Sequence, residues 1–255
     1  FVQYHTSYCF VYPIIKSMNL IKESGIKVNF IYSTKKNIFD CNILIIESRF
    51  LGQIKKKNYF INYLKKNKNK KLKIIFADTA DNSGQIQGEF LTFADAYWKG
   101  QIIKDKKKYL KAHYGGRLFT DFYKKKFNIK DKKIQLSNPI KNINLLKKIK
   151  VCWNMGLCDH GSFAHIKQKL FSIFKSKFFI NNSNNFFSPS IERKLNLSCR
   201  IGVNYERETV QFQREKISNL LRNHTETSKI SRFKYLNEIN YGKAEGMSLK
   251  KYKIN

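Results

Sequence analysis

Four short, almost wholly apolar runs limit what this chain can fold into: KVNFIYS at 27–33, CNILIIES at 41–48, KLKIIFAD at 71–78 and KVCWNMGL at 150–157. Runs this short and this apolar suit strands that are covered on both faces. Amphipathic stretches lie between them. In Phe10–Ser24, Val11, Ile14, Ile15, Met18, Leu20 and Ile21 fall at helical spacing, and Gly25 supplies a stop. A second helix is expected over 54–66. Residues 1–9 read as the end of a first strand with its loop, and 93–113 reads as helical.

Strand–helix alternation of this kind predicts an α/β fold, a Rossmann-like doubly wound parallel sheet with helices on both faces, over 1–180. INNSNNFFSPSIER, around a linker at 181–197, is rich in Asn and Ser and contains Pro189. A strand at 198–206 and helices at 208–223 and 228–240 then begin a second α/β domain. One strand and two helices cannot bury a core alone, so that domain is expected to be incomplete. Residues 241–255 lack an apolar period and are expected to form a disordered or aberrant tail. Phe1 is not an initiator Met, so the sequence is expected to begin inside a longer product.

The net charge of +32 invites a nucleic-acid reading. Only eight of the 50 basic residues are Arg, however, and Arg is the side chain that reads bases and phosphates as a fork. Lys, Asn, Ile, Phe and Tyr are enriched together, as A/T-rich codons would make them. Specific nucleic-acid binding is therefore not expected, whereas loose attraction to an anionic membrane surface is. The five cysteines are odd in number and scattered, which suits a reducing cytoplasm rather than a disulfide framework. Cys152, Cys158, His160 and His165 do not match the spacing of a common zinc site, and no metal is expected. With no apolar run of membrane-spanning length and no leader, the expected location is cytoplasmic, peripheral at the inner face of the plasma membrane.

Chemistry-bearing residues gather after the third apolar run. ADTADNSGQIQGEF at 77–90 is acidic and contains glycine in a chain otherwise crowded with Lys. Parallel sheets bind ligands beyond the carboxyl ends of their strands, which singles out Asp78, Asp81 and Gly84. A functional role for Asp78 and Asp81 competes there with capping of the next helix. Gly115-Gly116-Arg117 could cradle an anion, or could simply stop a helix.

Taken in order, D-x-x-D-x-x-G (78–84), D-x-Y-x-K (95–99), K-D-x-x-x-Y (104–109) and G-G-R-x-x-T-D-x-Y (115–123) resemble the N-terminal half of bacterial surface-polysaccharide glycosyltransferases of GT-B architecture. R-I-G-V-N-Y-E-R-E-T-V (200–210), Q-F-Q-R (211–214) and T-S-K-I-S-R-x-K-Y-L-N-E (227–238) resemble the opening of that group's second domain. The resemblance implies transfer of a sugar from a nucleotide-sugar donor to a glycan or lipid-linked glycan acceptor, with the nucleotide sugar as substrate and no separate cofactor. Asp78 and Asp81 become the candidate catalytic bases. Gly84, Asp95, Tyr97, Lys99, Arg117, Asp121 and Tyr123 fall on the acceptor side, and Arg200, Arg207, Arg214 and Lys229 on the donor phosphate side. Because the donor domain would be largely missing, this chain is expected to be inactive alone. The competing expectation is a non-catalytic basic module that binds nucleic acid or an anionic membrane surface.

Overall fold

The computed structural model describes residues 5–31, 38–52, 54, 57–153 and 207–223. They fall into two compact units. The first comprises the described residues up to Lys111 together with 138–153; the second joins 112–137 to 207–223.

The first unit is built on a four-stranded, all-parallel sheet in the order β1 (Ile43–Glu47), β2 (Lys73–Asp78), β3 (Ala96–Lys99) and β4 (Ile149–Val151). Its helices are α1 (His5–Lys16), α2 (Met18–Glu23), α3 (Ser48–Gly52), α4 (Lys57–Asn67) and α5 (Gly88–Phe93), with 3-10 helices at Lys106–Leu110 and Ile143–Lys148. This is the α/β parallel-sheet class expected from the apolar runs. Ile46, Phe76, Tyr97 and Ile149 stand in register across the four strands and are all buried. Phe76 stacks on Phe90 of α5 at 4.1 Å, while Leu64, Leu72, Ile74 and Leu91 are buried in the same unit.

Local chemistry explains several ends. After α2, Ile26 N–H donates to Ile21 O at 3.1 Å and Gly25 N–H to Lys22 O at 2.9 Å, the paired bonds of a Schellman stop. Gly25 adopts φ 77° to allow it. At the end of α5, Lys148 Nζ donates to the carbonyls of Leu91, Thr92 and Ala94 at 2.7–3.2 Å, and Lys68 Nζ to Phe93 O at 2.8 Å. Two lysines of this very basic chain thus neutralise a helix C-terminus.

Three local expectations are corrected. Residues 5–9 belong to helix α1, because Tyr8, Tyr12 and Ile15 continue the helical apolar period and are buried with Cys9 against Val11 and Phe30. Residues 27–31 are not in a strand, and 32–33 lie outside the described residues. The stretch 93–113 is not one helix: Ala96–Lys99 forms β3 and Lys106–Leu110 a 3-10 turn. A four-residue strand ending in Lys shows too little alternation to be read locally, and the neighbouring strands supply its hydrogen bonds.

In the second unit, α6 (Leu118–Phe127) packs on α7 (Glu208–Asn223) through Phe127 and Phe212, whose rings lie 4.9 Å apart. Asp131 Oδ1 accepts from Thr209 N at 2.8 Å and from Thr209 Oγ1 at 2.9 Å, capping the start of α7 from a distant part of the chain. Among the described residues no helix is long and apolar enough to cross a membrane.

Candidate functional site

At the carboxyl end of the sheet, β2 and β3 finish side by side with Asp78 in register with Lys99. Lys99 Nζ lies 2.8 Å from Asp78 Oδ2, and the two side chains are 0% and 2% exposed. Tyr97, two residues earlier on the same face of β3, donates its phenol to the same oxygen at 2.6 Å. Asp78 Oδ1 accepts from Ala80 N at 3.0 Å. Burying an ion pair is costly unless hydrogen bonds complete it, and these bonds do so.

The group holds down the loop at 79–87. Tyr97 OH accepts from Gln87 N at 3.0 Å, and Lys99 Nζ reaches Ala80 O at 3.4 Å. Tyr109 OH donates to Ser83 O at 2.7 Å and accepts from Ile103 N at 2.9 Å. On the β1 side, Thr79 donates from Oγ1 to Glu47 and from N to Ser48 Oγ at 3.1 Å. Glu47 also accepts from the amides of Arg49 and Phe50 at 2.9 and 3.0 Å, which fixes the start of α3. Inside the loop, Asn82 Oδ1 accepts from Gly84 N at 2.9 Å in an Asx turn. The result is a loop pinned by side chains from all three neighbouring strand ends, with Asp81 on its exposed side.

Electrostatics separate the roles. Burial, and then the nearby charge of Asp78, raises the Tyr97 phenol well above its ordinary value, so Tyr97 is a neutral donor at physiological pH. Burial likewise raises Tyr109. Cys152, whose N–H donates to Lys99 O at 3.1 Å, has its thiol pushed up by burial, with Asp78 adding to the effect. It is a poor nucleophile there. Both oxygens of Asp78 are engaged by protein donors, which suits a positioning role; Asp81 is exposed.

The structure therefore brings together Asp78, Tyr97 and Lys99, with Asp81 and Gly84 on the loop they fasten. Asp95 sits at the other end of β3. There it accepts from Ile74 N at 2.9 Å and pairs with Lys68 at 2.8 Å and Lys73 at 3.8 Å. Burial raises its carboxyl, but those bonds and charges outweigh it, and the group lies below its ordinary value.

The remaining described candidates occupy the second unit. Gly115 and Gly116 adopt φ 65° and 67°, but their N–H groups donate to Gln135 O at 2.6 Å and His113 O at 3.0 Å. The turn's amides are thus spent inside the unit and do not form the anion cradle that the two glycines suggested. Arg207 donates to Gly115 O at 3.1 Å and Gln135 Oε1 at 3.0 Å, bracing the turn. Asp121 accepts from Tyr114 N at 3.2 Å and Lys125 Nζ at 2.6 Å. Its carboxyl is raised by burial but lowered overall by those bonds and by the charges of Lys125 and His113. Arg117 precedes α6 and lies over the Phe119 ring at 5.7 Å, and Tyr123 stacks on Phe127 at 5.7 Å. Arg214 lies on α7; Arg200 and Lys229 lie outside the described residues, as do Cys158, His160 and His165.

Sequence reasoning missed Glu47, Ser48, Thr79 and Tyr109. The first two directly follow an apolar run, so the strand-end rule that found Asp78 would have found them. Among the described residues, no group of three or more His, Cys, Asp or Glu could hold a metal ion. Comparisons with protein-family models, with curated proteins and with solved structures find no match.

Proposed function

We propose that this chain is the acceptor-binding portion of a glycosyltransferase that moves a sugar from a nucleotide-sugar donor to a glycan or lipid-linked glycan of a bacterial surface polysaccharide. The observation that carries the reading is the loop at 79–87, fastened by the buried Asp78–Lys99 pair beyond the strand ends, with the exposed Asp81 on it. In this reading Asp81 accepts the proton of the acceptor hydroxyl as that oxygen attacks the anomeric carbon and the nucleoside diphosphate departs. Asp78, Tyr97 and Lys99 position the loop. The departing diphosphate needs cationic partners, for which the resemblance offers Arg200, Arg207, Arg214 and Lys229.

The test is glycan-array binding by the purified chain, followed by Asp81→Asn. Retention of a defined glycan, weakened about tenfold or more by Asp81→Asn, supports the reading, because a hydrogen bond to a charged group is lost. Thermal melts with a panel of nucleoside diphosphate sugars form the second arm. A chain that retains no glycan and is protected by no nucleotide sugar would overturn it.

A further inference from the structure

The second unit carries lysines and apolar side chains that the sugar-transfer reading does not use. Between 124 and 133 stand six lysines (Lys124, Lys125, Lys126, Lys130, Lys132 and Lys133), all but Lys124 exposed. The one carboxylate in that stretch, Asp131, is buried and bound to Thr209. Apolar side chains protrude in the same unit: Phe122 is 51% exposed, Ile134 71% and Leu220 63%.

The two helices bring Phe122, Lys126, Phe127, Lys216 and Leu220 into one patch. Lys126 Nζ lies 5.4 Å from the Phe122 ring and 5.6 Å from that of Phe127, and Lys216 Nζ of α7 lies 4.8 Å from Phe127. Leu220 follows Lys216 by four residues, on the same face of α7. Two further carboxylates of these helices are partnered: Asp121 by Lys125, and Glu215 by Gln211 Nε2 at 2.8 Å.

We infer that this α6–α7 surface docks the protein on an anionic lipid bilayer, with Phe122 and Leu220 entering the interface and Lys126 and Lys216 meeting the headgroups. Lysines spread around protruding apolar tips complement a negatively charged interface, where each cation near the surface adds attraction. A single-stranded nucleic acid fits less well. Of the protruding tips, Phe122 offers a ring on which a base could stack but Leu220 does not, and Tyr123, Phe127 and Phe212 are occupied with one another. The inference is independent of the sugar-transfer reading and survives its failure.

Co-sedimentation of the full chain with phosphatidylglycerol-containing and pure phosphatidylcholine vesicles tests it. The anionic vesicles are expected to retain the protein. A Lys126→Gln/Lys216→Gln variant is expected to bind about tenfold more weakly, given the contribution of each surface lysine. The same change at the exposed lysines Lys70 and Lys107, which belong to the first unit, is expected to matter less than about twofold. Phe122→Ser/Leu220→Ser should also weaken retention about tenfold. Phe122→Trp should shift emission to the blue with anionic vesicles. Equal losses from the two lysine sets would overturn the inference, as would indifference to Phe122→Ser/Leu220→Ser. So would retention of a single-stranded oligonucleotide by a chain that ignores vesicles.

Discussion

Lys99 Nζ and Asp78 Oδ2 meet at 2.8 Å at the ends of two adjacent parallel strands, with the side chains 0% and 2% exposed. A lysine buried this fully depends on its partner. Lys99→Met is expected to cost about 3 kcal/mol or more of folding stability, because it leaves Asp78 buried with only Tyr97 and Ala80 as donors. Combining it with Asp78→Asn should cost less than the sum of the single changes. Denaturant melts of the four proteins form the cycle, and strict additivity would show that the pair is not coupled.

Gly115 is irreplaceable for two reasons that can be separated. Its φ of 65° disfavours a side chain, and an added Cβ would lie 2.7 Å from Thr120 Oγ1. Gly115→Ala is expected to destabilise the second unit by roughly 1–3 kcal/mol, the range for a residue forced into sparsely populated backbone space. Gly116→Ala has a similar φ of 67° and is expected to show a comparable backbone cost. Adding Thr120→Ser to Gly115→Ala should not recover stability, since the nearest atom, Oγ1, remains.

Asp131 caps α7 through Thr209 while itself buried. Asp131→Ala leaves Thr209 N–H without its acceptor at a helix N-terminus, for an expected loss of about 2 kcal/mol. Hydrogen exchange should show faster opening of the first turn of α7, with the β1–β4 sheet unaffected.

The pH response has an acid arm and an alkaline arm. Asp95 and Asp121 titrate below their ordinary value in the folded protein, so each stabilises above the unfolded carboxyl value of about 4. That contribution declines as the pH falls through the lower, folded value. Tyr97 and Tyr109 are raised instead, so their contribution is full below the unfolded value of about 10 and is lost as the pH rises through the folded one. Melting temperature against pH should fall at both ends. Asp95→Asn should flatten the acid arm, and Tyr97→Phe the alkaline one.

What the sequence determined by itself was whatever depends on near neighbours. The runs CNILIIES and KLKIIFAD became β1 and β2 because short runs rich in β-branched apolar residues favour strands, and that is visible in a single segment. Gly25 ended α2 because its φ is a local property. The strand-end rule led to Asp78 and its loop. Tertiary structure alone decided that AYWK is a strand, that Lys99 points inward onto Asp78, and that Asp131 caps a helix beginning far along the chain. It also decided that the glycine amides of 115–116 are spent on Gln135 and His113. A lysine reads as solvated and a Gly-Gly-Arg turn as an anion site until the partners from distant segments are in place. Burial and hydrogen-bond satisfaction belong to the assembled core, and no window of sequence contains them.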